Sequence, residues 1–285
     1  MIDRPIFIIG SGRCGSSVFY RMLATHPSVA YLTGANVRFA ERPAMWRMNT
    51  LFGRVALQLG LVHPAEAYKL LNSIMPGFGA PTRTLRGSDV TASVRKGMTA
   101  LVKANLKVQR GKRFLYKYTG WSRIGFMSAI FPDALFIHVV RDGRAVAYSM
   151  LTVPWWHGWQ GPWNWRWGML DQQDAADWEK SGRSFAVLAG IEWKMIMNEI
   201  ESSREEVPPS RFLEVRYEDF VAQPHDVLRE VCEFCGLAYS KAFRRRIGRV
   251  HLRSANHKWK TELADSEKEL LQRCIEPQLE RFDYL

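Results

Sequence analysis

Residues 6–17 read Ile6-Phe7-Ile8-Ile9-Gly10-Ser11-Gly12-Arg13-Cys14-Gly15-Ser16-Ser17, an apolar run, a glycine-rich turn, and the start of an amphipathic stretch. Four β-branched or aromatic residues in a row suit a buried strand. Glycines at 10, 12 and 15 let backbone N–H groups approach a ligand closely, and a helix beginning at Ser16 would offer its N-terminus to an anion. The stretch therefore predicts a strand, a phosphate-binding turn and a helix, in that order.

The rest of the chain continues that alternation. Strands are predicted at 6–9, 28–32, 114–118, 134–140 and 211–217, each short and apolar. Helical spacing groups Val18, Phe19, Met22 and Leu23 within 16–24, and Val94, Met98, Leu101 and Val102 within 94–108. It also groups Ile124, Met127 and Phe131 within 122–131, and continues through 143–151, 185–201 and 225–235. Strands alternating with helices predict one α/β domain over residues 1–285, built on a parallel sheet of about five strands with helices on both faces. Residues 42–93 and 152–182 lack clear periodicity and read as insertions that build a pocket or lid.

Bulk composition narrows the class. The chain has 285 residues, 47% hydrophobic and 24% charged, as in ordinary globular proteins. No stretch approaches the ~20 apolar residues of a membrane span, and no signal peptide is evident, so a cytoplasmic location is expected. Cys232 and Cys235 form a CxxC, but no second pair completes a zinc site, and apolar residues surround them at helical spacing; they read as buried thiols. The net charge of +12 predicts an anionic partner. The densest basic run, Arg244 to Arg246 with Arg253, has no interleaved aromatics, which argues against nucleic acid. Oligomeric state is not readable.

Three phosphate-binding readings compete for the loop. Gly10-x-Gly12-x-x-Gly15 fits a dinucleotide-binding turn, but the acidic residue needed about 20 positions later is missing from Tyr31-Leu32-Thr33-Gly34-Ala35-Asn36. Gly10 and Gly15 also fit a nucleoside-triphosphate loop, but Ser16 stands where its lysine belongs. The third reading takes Arg13 as the cation: backbone N–H groups hold a 5′-phosphate and Arg13 meets charge on a bridging oxygen.

In that form GSGRCGSS resembles the 5′-phosphosulfate loop of the sulfotransferase family, with Cys14 in place of the usual Ser and Ser16-Ser17 in place of Thr-Thr. Residues 131–149, FPDALFIHVVRDGRAVAYS, resemble the family's 3′-phosphate segment, in which Arg141 at a strand end and Ser149 on the next helix would clamp the phosphate. LYKYTGWS at 115–122 resembles its lysine strand, so Lys117 would meet the sulfuryl or bridging oxygen. FLEVRYEDF at 212–220 resembles the segment that would place Tyr217 near adenine, and SANHKWKTEL at 254–263 one in which Ser254, Lys258 and Trp259 would close over the nucleotide. The resemblance covers residues 6 to about 263. It implies a P-loop-like fold, 3′-phosphoadenosine 5′-phosphosulfate as co-substrate held by Ser11, Gly12, Arg13, Cys14, Gly15, Ser16 and Ser17, no metal, and transfer to a hydroxyl on a small-molecule, glycan or lipid acceptor.

One part of the pattern departs. The family often has a catalytic Glu in a GEExR-like segment; Asn36 holds that place in Gly34-Ala35-Asn36-Val37-Arg38 and cannot act as a base. Glu41, His157 and Asp89 are the substitutes weighed, and an acidic phenol acceptor would need little help. The remaining readings are a P-loop-like kinase and a nucleotide- or polyanion-binding protein without chemistry. WWHGWQGPWNWRW at 155–167 reads either as an aromatic core cluster or as an acceptor-binding lid.

Overall fold

The computed structural model describes residues 2–38, 63–248, 252 and 256–285. Five strands form its sheet: β1 (Ile6–Ile9), β2 (Val29–Tyr31), β3 (Arg113–Lys117), β4 (Leu135–Val140) and β5 (Phe212–Arg216). Their order is β2-β3-β1-β4-β5 and every pairing is parallel. A sheet of this kind is buried on both faces, which is why its strands are continuous apolar runs rather than alternating ones.

Side chains alternate across the sheet and feed two separate cores. Phe7, Ile9, Tyr116, Phe136 and Val140 point into one. Its cover is α2 (Ala92–Gln109), α3 (Ile124–Ile130), α4 (Gly143–Leu151), α5 (Phe185–Arg204) and α7 (Asp265–Arg281). Ile6, Ile8, Leu115, Ile137 and Val139 point into the other, under α1 (Ser16–Ala24) and α6 (Pro224–Cys235). All five strands and the six periodic helices stand within a few residues of their predicted ranges. Cys232 and Cys235 are buried on the inner face of α6, and burial pushes both thiols up to about 12.

Local signals set the helix ends that matter to the site. Asp142 caps α4, accepting from the Arg144 backbone N–H at 2.9 Å, so the chain turns immediately after Arg141. Gly15 is the N-cap of α1; it adopts φ 89° and offers no capping side chain. The Val18 N–H donates to the Gly15 carbonyl at 3.1 Å, while the N–H groups of Ser16 and Ser17 ahead of it have no intrahelical carbonyl to reach and no capping side chain. Among the described residues no helix is long and apolar enough to cross a membrane.

Candidate active site

Parallel register brings the chemistry to one edge. Ile8 pairs with Lys117, and Val140 pairs with Arg216, so Arg141 and Tyr217 emerge side by side just beyond the sheet. The glycine loop follows β1, which lies between β3 and β4, so it too stands at the carboxyl ends of the strands. This is where open parallel sheets bind ligands.

The loop is shaped for an anion. Arg13 adopts φ 62°, a left-handed conformation uncommon for a residue with a Cβ. Any side chain at Gly15 would overlap the Tyr217 ring. Ser11 is fully buried and its hydroxyl has no hydrogen-bond partner among the described residues. An orphaned hydroxyl beside open helix N–H groups fits the oxygens of a bound phosphate.

Two guanidinium groups converge here. Arg13 Nε donates to Ser149 Oγ at 2.9 Å. Arg141 Nη1 donates to the Arg13 carbonyl at 2.9 Å, and its Nε donates to Asn256 Oδ1 at 2.7 Å. The Arg141 guanidinium also lies 4.8 Å from the centre of the Tyr217 ring. Burial first, and then the neighbouring Arg141 charge, holds Arg13 below the usual arginine range. Two cations brought together in this way favour an anion between them.

Lys117 completes the cationic edge. Its side chain is 5% exposed, and Nζ donates to Ser17 Oγ at 3.0 Å while pairing with Glu66. Glu66 had no signal in the sequence: it lies in the unpatterned insertion, and only docking of that segment beside β2 brings it here. Asn256 was equally silent, although it sits within the quoted 254–263 segment. It links Arg141 to Glu218, which also accepts from the Asp142 N–H at 3.2 Å and the Tyr284 hydroxyl at 2.6 Å.

Other expected residues fall differently. Trp259 is buried under Arg144, whose guanidinium lies 4.6 Å from its ring, so it braces α4; Lys258 beside it is exposed. Ser254 and Glu41 lie outside the described residues. Asp89 is clamped by Arg83 at 2.6 and 2.9 Å and accepts from the Arg86 N–H, which holds its carboxyl down at about 2. Such a carboxylate is a poor base. His157 is exposed at the start of a short 3-10 turn, His157–Gln160. Asn36 is fully buried, its Oδ1 accepting from the Thr33 N–H at 2.7 Å and hydroxyl at 3.2 Å.

The tryptophan stretch is partly core and partly surface. Trp156, Trp165, Trp167 and Trp178 are buried, whereas Trp155, Trp159 and Trp163 are 50%, 45% and 57% exposed. Trp156 Nε1 donates to Glu192 Oε2 at 2.7 Å from beneath. Burial raises the Glu192 carboxyl to about 7, moderated by Trp156 and Arg166. The stretch reaches the edge of the glycine loop at two points. A Cβ on Gly12 would sit 3.8 Å from the Trp155 ring, and one on Gly120 would sit 2.9 Å from Trp167.

Comparison with known proteins identifies the family and the fold. The sulfotransferase family model matches residues 5–241. Omega-hydroxy-beta-dihydromenaquinone-9 sulfotransferase Stf3 of Mycobacterium bovis is 22% identical over 270 residues, covering 82% of this chain and 63% of that protein. Its Mycobacterium tuberculosis counterpart matches equally. The chain thus spans less than two thirds of the length of these relatives. Sulfotransferase STF9 from Mycobacterium avium shares the fold with a TM-score of 0.60 at 15% identity, over 100% of this chain and 78% of that one. The sulfotransferase domain from the curacin biosynthetic pathway does so with a TM-score of 0.55 at 16% identity, over 100% and 99%.

Proposed function

The chain belongs to the sulfotransferase family, and we propose that it transfers a sulfuryl group from 3′-phosphoadenosine 5′-phosphosulfate to a hydroxyl on an apolar acceptor. The observation that carries this reading is the meeting of Arg13, Arg141 and Ser149 at the open N-terminus of α1. The loop N–H groups and the Ser11 hydroxyl would hold the 5′-phosphate, and Arg141 with Ser149 the 3′-phosphate. Arg13 and Lys117 would meet the charge that develops on the bridging and sulfuryl oxygens, as fixed cations do in related transfers.

The acceptor reading comes from the aromatic stretch. Residues 152–182 would act as its lid, with Trp155 nearest the loop. Flat apolar rings suit a lipid or aromatic acceptor rather than a charged one. The hydroxylated menaquinone for which the mycobacterial relatives are named is a compound of that class. A second reading, a nucleotide binder without chemistry, is favoured by the buried Asn36, which cannot take a proton.

Thermal unfolding with 3′-phosphoadenosine 5′-phosphate, ADP, ATP with Mg²⁺ and NAD tests the donor. A ligand at 100 times its Kd adds about 2.7 kcal/mol to stability. The 3′-phosphorylated nucleotide should stabilise the protein without metal; stabilisation by ATP with Mg²⁺ or NAD instead would overturn the reading. Sulfate transfer to a panel of alcohols and phenols then separates enzyme from binder.

A further inference from the structure

The geometry points to Glu66 as the group that takes the acceptor's proton. This rests on the sulfuryl-transfer reading above and supplies the base that Asn36 cannot be. Asn36 is turned back on its own helix start, where its carbonyl oxygen is engaged by Thr33. Its Nδ2 is buried with no hydrogen-bond partner among the described residues, and an amide nitrogen has no proton-accepting capacity.

A different segment brings a carboxylate to the same edge. Pro64 forms an antiparallel bridge with Thr33, and the Ala65 N–H donates to the Leu32 carbonyl at 2.7 Å. The Tyr116 hydroxyl donates to the Glu66 carbonyl at 2.8 Å. The Glu66 backbone is thus pinned both to the end of β2 and to β3. Ala67 follows with φ 46°, a left-handed turn at a residue with a Cβ. Strain of this kind persists only where surrounding contacts enforce it.

The Glu66 side chain meets the cationic edge directly. It pairs with Lys117, whose Nζ is 3.0 Å from Ser17 Oγ at the start of α1. Lys117 is 5% exposed and Glu66 31%, so the carboxylate faces both the reaction edge and water. Tyr68, Tyr20 and Tyr116 lie around it, Tyr68 in a side-chain hydrogen bond with the carboxylate, and burial keeps all three phenols well above their ordinary range, hence neutral. Among the described residues, Asp89 is engaged by Arg83, Glu192 by Trp156, and Glu218 by the Asp142 N–H and Tyr284.

In the step this assigns, the acceptor O–H bond breaks and its proton passes to a Glu66 carboxylate oxygen. The acceptor oxygen bonds to sulfur. The bond from sulfur to the 5′-phosphate oxygen breaks, and its electron pair stays on that oxygen, facing Arg13 and Lys117. The proton on Glu66 is then released to water. General-base help of this kind is worth about 10²–10⁴-fold.

The test is Glu66→Gln, which keeps a hydrogen-bond acceptor for Lys117 but cannot take a proton. Binding of 3′-phosphoadenosine 5′-phosphate is measured first by thermal shift. Its absence in the unmodified protein would mean that the parent reading has failed, independently of Glu66. With binding in the variant within about 3-fold of the parent, single-turnover transfer is followed to 4-nitrophenol, to dodecanol and to water. The expected result is a loss on the order of 10²-fold or more for dodecanol and water, and under about 10-fold for the acidic phenol, which needs little base. Rates near those of the parent for dodecanol and water would overturn the assignment. So would weakened nucleotide binding with equal loss for all three acceptors, because Glu66 would then only position Lys117. Glu66→Asp, which retains a carboxylate, should recover part of the dodecanol and water rates.

Discussion

Arg13 Nε and Ser149 Oγ stand 2.9 Å apart although 136 residues separate them in the chain. The contact ties the turn after β1 to the helix after β4, so the glycine turn and α4 form one surface. Truncating either residue should disturb the other. In a double-mutant cycle of Arg13→Ala and Ser149→Ala, read by affinity for 3′-phosphoadenosine 5′-phosphate, the two losses should couple by about 0.5–3 kcal/mol. Strict additivity would show that the loop and α4 act separately.

Arg141 should not be replaceable by lysine. Its fork reaches the Arg13 carbonyl and Asn256 at once, while its flat face lies on Tyr217. A lysine keeps the charge but loses the fork and the stacking. Arg141→Lys should weaken binding of the 3′-phosphorylated nucleotide by about 10–100-fold, the worth of one to two charge-assisted hydrogen bonds. Calorimetric titration with that nucleotide and with its analogue lacking the 3′-phosphate checks it: the analogue should show little difference between parent and variant.

Gly15→Ala should damage the loop without touching a charged group. The position has φ 89°, and an added Cβ would meet the Tyr217 ring. Left-handed strain alone costs about 1–3 kcal/mol. Tm should fall, and nucleotide affinity should fall further, because the backbone must shift where it meets phosphate. Unchanged affinity in this variant would separate Gly15 from the anion site.

Trp155 should matter to the acceptor and not to the nucleotide. Its ring is half exposed and reaches the edge of the loop at Gly12. Trp155→Ala should raise KM for an apolar acceptor by about 10-fold, equivalent to partial burial of one aromatic ring. The thermal shift given by 3′-phosphoadenosine 5′-phosphate should stay the same.

Glu192 makes stability depend on pH in an identifiable direction. Burial raises its folded carboxyl from the ordinary 4.5 to about 7. The folded state therefore holds a proton that the unfolded state has released between those values. Its contribution is fully present below about pH 4.5 and is lost as pH rises through about 7, a change of up to about 3 kcal/mol. Chemical denaturation of the parent and of Glu192→Gln at pH 5 and pH 8 checks it. The variant should lose less stability between the two, and equal losses would exclude Glu192 as the source.

The sequence alone carried the architecture, and with it the positions of the residues of the proposed donor edge. Strand and helix periods are local properties, and the runs at 6–9, 135–140 and 143–151 carry them without ambiguity. The loop at 10–17, Lys117 and Arg141 sit at strand ends, so placing the strands placed them too. Three things waited for tertiary structure. Glu66 acquires its place only when residues 64 and 65 pair with the end of β2, an irregular contact that no periodicity encodes. Trp156 meets Glu192 across 36 residues, through packing of the aromatic stretch on α5. Trp259 meets the Arg144 guanidinium at 4.6 Å, a contact between segments far apart in the chain. In each case the deciding interaction joins side chains from distant elements, and its energy depends on burial and distance that exist only once the chain has folded.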